Sequence, residues 1–156
     1  MSRRRCRRTL TPVQIPAVRH RRALRCDAVT AFDTWVRDIA LWWHPDYTPD
    51  AATFRDARVE PVVGGAVSFT CDATGTVVWG RVEQVERPRL LVHTSVLGQP
   101  AEHPTRIRVE LVPSADGTTL LFEHGGWHPS LAGVRQKFGE WPLLLDRFAA
   151  LADSRA

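Results

Sequence analysis

Residues 105–151 constrain the fold most: two alternating strands run through a tight turn and a loop into one long apolar-striped helix. Arg106-Ile107-Arg108-Val109-Glu110-Leu111 alternates polar and apolar side chains, the pattern of a strand with one buried face. Ser114-Ala115-Asp116-Gly117 supplies an Asp-Gly hairpin turn, and residues 118–124 return. Beyond it, Val134, Phe138, Trp141, Leu145, Phe148 and Ala152 recur at spacings of three and four, which is one helix face. Pro142 offers no N–H and its ring clashes with the carbonyl of Phe138, so this helix kinks or restarts there. A curved antiparallel sheet closing on such a helix encloses a space that holds either packed side chains or a small ligand.

The upstream chain supplies the rest of the sheet. Residues 17–26 read as a first strand. Asp27 can cap a helix from Val29 to Val36 with Phe32, Trp35 and Val36 as its buried face, and a second short helix over 38–43 ends at His44-Pro45. Strands follow over 54–63, 66–71, 76–86 and 90–97, joined by Gly64-Gly65, by the turn from Asp72 to Gly75 and by Arg87-Pro88, with an irregular loop over 98–105. The order is strand, two short helices, six strands and a long helix. This is an α+β fold, a curved seven-stranded antiparallel sheet around the C-terminal helix, spanning residues 13–153 as a single domain.

The net charge of +4 suggests a nucleic-acid partner until the charges are located. Five of the 21 basic residues lie in the first eight positions, which leaves 16 basic against 17 acidic groups in the remainder. The domain is therefore near neutral and gives no case for nucleic acid. Residues 1–12 read as a disordered Arg-rich extension, because no apolar segment of a secretory signal follows the arginines. No apolar run approaches the roughly 18 residues of a membrane span. The three cysteines, Cys6, Cys26 and Cys71, show no paired spacing, so neither a disulfide framework nor a zinc motif can be built from them. Free thiols and no leader point to a cytoplasmic protein.

Strand parity selects the inner wall. An Asp116-Gly117 turn pairs Leu111 with Phe122 and Val109 with His124. It puts Ile107, Val109, Leu111, Leu120, Phe122 and His124 on one face and opposes Glu110 to Glu123 on the other. The next sets are Val67, Phe69 and Cys71 with Val78, Gly80 and Val82, and then Leu91, His93, Ser95 and Leu97. By the same parity Trp79 falls outside. The Gly64-Gly65 turn leaves two choices: Arg58 and Glu60 inward, or, with a bulge, Val59 and Pro61 inward.

This wall is apolar with His93 and His124 set in it, either to orient a polar group on a greasy ligand or as core histidines satisfied by backbone or water. Trp42 and Trp43 on the short helices cover the mouth or pack the helix on the sheet. Phe138 and Trp141 face the sheet from the long helix. The candidate ligand-binding residues are therefore Trp42, Trp43, Phe69, His93, Ser95, Val109, Phe122, His124, Phe138 and Trp141. His124 and His128 are four apart, but Gly125-Gly126 between them argues for a loop rather than a metal-binding helix face, so no metal is expected. No nucleophile elbow, phosphate-cradling loop or catalytic triad is recognisable, which weighs against an enzyme.

The element order, with Trp42-Trp43, Gly64-Gly65, Trp79-Gly80-Arg81-Val82, Pro88 and Leu91, Glu123-His124-Gly125-Gly126-Trp127 and Trp141 through Phe148, resembles the SRPBCC superfamily of START-like helix-grip domains. Within it the chain is similar to the bacterial single-domain homologues of the activator of heat-shock-protein-90 ATPase, over about residues 17–151. The resemblance implies a seven-stranded sheet gripping the C-terminal helix with a cavity between them. It implies little about chemistry, since the superfamily includes lipid carriers, hormone receptors and polyketide cyclases. The eukaryotic activators carry a further chaperone-binding domain, for which this chain is expected to have no room. Ser95 stands where many relatives place a tryptophan, and a small residue there is expected to widen the cavity.

The expectation is a cofactor-free protein that binds a small hydrophobic or aromatic molecule between sheet and helix, with a homodimer left open. The alternatives are a cyclase- or aromatase-like enzyme and a protein-interaction module, co-chaperone-like, whose cavity is filled.

Overall fold

The computed structural model describes residues 14–156, and the Arg-rich extension assigned to residues 1–12 lies outside the described residues. The strands are β1 (Val18–Leu24), β2 (Phe54–Val59), β3 (Ala66–Cys71), β4 (Gly75–Glu86), β5 (Leu90–Ser95), β6 (Thr105–Ser114) and β7 (Gly117–Gly125). They form one antiparallel sheet in the order β1-β7-β6-β5-β4-β3-β2, so that β1 closes against the last strand while β2 forms the far edge.

The helices are built as the pattern implies. Helix α1 (Ala28–Arg37) starts at Asp27, whose carboxylate accepts a hydrogen bond from the Thr30 backbone N–H at 2.8 Å. It buries Ala31, Phe32, Trp35 and Val36, and α2 (Ile39–Trp42) follows at once. The C-terminal run divides into a 3-10 turn (Pro129–Leu131), α3 (Ala132–Arg135), a second 3-10 segment (Gln136–Glu140) and α4 (Trp141–Asp153). Regular α-helix restarts at the proline: Pro142 occupies the first turn of α4, where a missing N–H has no intrahelical partner to lose. Helix α4 buries Trp141, Leu144, Leu145, Phe148 and Ala152 against the sheet, and Arg22 of β1 pairs with Asp146 at 2.8 Å at its exposed edge.

Two details of register correct the parity analysis. Ser114 pairs with Gly117, so the turn residues are Ala115-Asp116, and the hairpin slides by two: Val109 lies opposite Phe122 and Ile107 opposite His124. A slide of two preserves parity, so Ile107, Val109, Leu111, Leu120, Phe122 and His124 share the buried face as expected. On the outer face the slide changes partners. Glu110 meets Leu121 and Glu123 meets Arg108, so the expected Glu110–Glu123 repulsion does not form. Gly117 holds this end: its φ is +147°, and a Cβ there would sit 2.2 Å from the Leu24 carbonyl oxygen.

The second correction is a β-bulge. Ser68 pairs with Val78 but Val67 pairs with Gly80, which leaves Trp79 as the extra residue of β4. The bulge turns Trp79 inward, to 3% exposure, and leaves Val78 at 43%, the reverse of the parity reading. At the other open turn, Val59 goes inward while Arg58 and Pro61 stay exposed.

Gly80 makes the bulge possible. A Cβ there would lie 2.3 Å from the Thr94 carbonyl oxygen of β5 and 3.1 Å from the His93 ring, so the strands must part for any other residue. We expect Gly80→Ala to lower stability by about 2–3 kcal/mol through this overpacking. Urea unfolding is the measurement, and an unchanged midpoint with an unchanged slope would show that β4 and β5 can separate freely.

Candidate functional site: an aromatic cavity between lid, sheet and helix

The bulge, the lid and the helix restart meet around a cavity of about 400 Å³. Its walls come from four places: Trp43 with the 3-10 turn Pro45–Tyr47 and the residues that follow, Val77 to Trp79 of β4, Val96 to Gly98 after β5, and Lys137 to Leu144 around the start of α4. The deep wall is aromatic. Trp43 lies 5.6 Å from Trp79 and 5.6 Å from Trp141, in the second case edge to face. Asp46, Lys137 and Glu140 put charge at the rim.

Each aromatic is held by its own backbone element. The Trp43 indole N–H donates to the Tyr47 carbonyl at 3.2 Å, tying the lid turn to the ring beneath it. The Trp141 indole N–H donates to His124 Nδ1 at 3.1 Å, so β7 sets the angle of the first residue of α4. Trp79 stacks on Phe69 of β3 at 5.1 Å and stands perpendicular to the His93 ring at 5.5 Å. Tyr47 has its phenol shifted upward, first by desolvation and then by a hydrogen bond to Glu140.

Of the ten candidate residues, the structure brings Trp43, Phe138 and Trp141 together in the cavity wall. Trp42 packs instead against Trp35 at 4.6 Å and Phe148 at 5.5 Å in the core. Phe69 lies behind Trp79, while Val109 and Phe122 belong to the buried face of the sheet. Ser95 is fully buried, with its hydroxyl accepting from the Leu97 N–H and its carbonyl from the Thr105 hydroxyl.

Neither histidine reaches the cavity wall. His124 is bonded at both ring nitrogens: Nδ1 accepts from Trp141, so Nε2 carries the proton and donates to the Thr105 hydroxyl at 2.8 Å. Burial and then the neighbouring His93 hold its pKa down at about 3. His93 is bonded through Nδ1 to the Thr94 carbonyl at 2.8 Å, and burial lowers its pKa to about 4. Both are neutral structural groups at physiological pH. His128 does not join His124: its ring stacks on His103 at 3.7 Å and its Nδ1 bonds Ser130.

Trp79 is the wall residue that parity analysis discarded. The available signal was the glycine after it, since an interior glycine in a strand marks a bulge or a close backbone approach. Tyr47 and Leu144 also line the cavity, and nothing in their local pattern distinguishes them from ordinary packing residues.

The sequence profile of "Activator of Hsp90 ATPase homolog 1-like protein" matches residues 26–153. The chain belongs to that family. No curated protein matches it. Among solved structures, the AHSA1-type fold recurs in protein MLL2253 from Mesorhizobium loti, with 19% identity, a TM-score of 0.68 and coverage of 90% of this chain and 99% of that one. It recurs in the Aha1 dimer from Colwellia psychrerythraea, with 17% identity, a TM-score of 0.67 and coverage of 89% and 97%. It also recurs in Txn09, an anthrahydroquino-γ-pyrone synthase solved with a bound compound, with 23% identity, a TM-score of 0.60 and coverage of 90% and 99%. At these identities the likeness establishes the helix-grip fold of the family, a curled seven-stranded sheet with the C-terminal helical run against it. Among the described residues no helix is long and apolar enough to cross a membrane.

Proposed function

We propose that this AHSA1-like chain binds a small, largely apolar aromatic molecule in the cavity between lid, sheet and α4. The observation that carries the reading is the aromatic wall itself. Trp43, Trp79 and Trp141 are each nearly fully buried, yet all three border a space of about 400 Å³, within the range of small-molecule sites. A bicyclic or tricyclic ligand that buries about 250 Å² of apolar surface there gains roughly 6 kcal/mol before ordering costs. Apolar burial alone therefore supports only weak binding, and tighter binding requires a polar contact.

Native mass spectrometry of freshly purified protein, followed by denaturing extraction, tests this directly. The expected result is a stoichiometric small molecule, or, for an empty protein, a rise in melting temperature with aromatic compounds that Phe138→Ala abolishes. A protein that stays empty and unshifted across such a panel would remove the binding role and favour a protein partner.

A cyclase-type enzyme is the second reading, favoured by the shared fold of the synthase Txn09. With His93 and His124 behind the wall, its acid and base would have to come from Asp46, Lys137 or Glu140 at the rim.

A further inference from the structure

The ligand class can be narrowed by one polar atom, on the understanding that this rests on the cavity reading above. Among the described residues, the indole N–H of Trp79 is the single buried side-chain polar atom without a hydrogen-bond partner. Buried polar groups in native proteins are nearly always paired, and an unpaired one costs as much as its lost desolvation.

The neighbouring indoles show the contrast. Trp42 donates to the Thr34 carbonyl, Trp43 to the Tyr47 carbonyl, Trp127 to the His124 carbonyl and Trp141 to His124 Nδ1. Each is tied to the protein, and Trp79 is not. Trp79 is also the residue that a bulge, and a glycine with no room for a Cβ, turn out of the regular strand pattern onto the cavity wall. Phe69 stacks on the ring and His93 stands perpendicular to it, and neither supplies an acceptor to the N–H. The remaining neighbour is the cavity.

We infer that the Trp79 indole N–H is the polar anchor of the site and that the ligand is an uncharged planar aromatic carrying a carbonyl-type oxygen that accepts this hydrogen bond. The charge follows from placement: Trp79 sits on the apolar side of the cavity, where a formal charge would be stripped of water without a partner. The planarity follows from a wall formed by Trp43, Trp79, Phe138 and Trp141, which offers ring faces and edges rather than a rounded aliphatic surface.

The test uses indanone and indane, which share one ring skeleton and differ by a carbonyl, titrated by ligand-observed NMR into the full-length protein and into Trp79→Phe. The phenyl ring keeps an aromatic wall and removes only the donor, so the variant's own melting temperature should be unchanged or raised. We expect the substitution to weaken indanone about tenfold and to leave indane unchanged, since the ligand carbonyl is then buried unpaired. Equal weakening of both, or no change in either, would overturn the anchor while the cavity reading stands; a water molecule would then be the partner. If neither compound binds the unsubstituted protein, the cavity reading itself fails. Should Trp79→Phe not fold, the indole ¹⁵N–¹H signal of Trp79 in the unsubstituted protein decides: a downfield shift with indanone but not with indane supports the bond, and equal shifts reject it.

Discussion

Lowering the pH from about 7 to about 4.5 is expected to cost this fold about 4–5 kcal/mol, most of it from His93 and His124. Both are buried and neutral, with pKa values held near 4 and 3 against an ordinary 6.5. The unfolded chain therefore binds protons that the native state refuses. The contribution is fully present above about pH 6.5 and is lost as pH falls toward the folded values, at about 1.4 kcal/mol per unit for each histidine. His20, also lowered by burial and then by Arg22, acts in the same direction. The physical cause is that a proton on His124 Nδ1 would meet the Trp141 N–H donor head-on and break the contact that fixes the start of α4. Urea unfolding at a series of pH values measures it. A stability that stays flat between about pH 6.5 and 4.5 would show that water reaches both rings, and His93→Gln should remove about half of the slope.

Phe122→Ala is expected to destabilise the protein by about 3–5 kcal/mol. Phe122 is 2% exposed at the centre of β7, with Trp141 at 4.4 Å and Trp35 at 6.2 Å. It joins the first helix, the sheet and α4 in one cluster, so its removal leaves a void bounded by rigid rings that cannot collapse cheaply. Equilibrium denaturation gives the number. A loss under about 1 kcal/mol would mean that the surrounding aromatics close over the gap, and the cavity wall at Trp141 would then be more plastic than its packing implies.

Residue periodicity made most of the architecture legible because burial on one face leaves a mark at every second or every third and fourth position. The β6–β7 hairpin, the α1 cap at Asp27 and the break at Pro142 all follow from local rules of this kind. A slide of two residues in the hairpin passes unnoticed by such a pattern, since it returns every side chain to the same face. The wrong outer pairing of Glu110 with Glu123 followed from that blindness.

The site was less legible, for a physical reason seen in three residues. Trp79 turns inward only because β4 gains one residue over β3 at that point, and Gly80 can approach the Thr94 carbonyl. His124 looks like a ligand group in the sequence, and three-dimensional contacts with Trp141 and Thr105 make it a structural one. Sequence by itself determined which side chains are apolar, where the elements start and stop, and hence that a seven-stranded sheet grips a terminal helix. Only the tertiary structure decided which aromatics fill that grip and which line its opening, because bulges, lid placement and the partners of buried donors depend on contacts between residues distant in the chain.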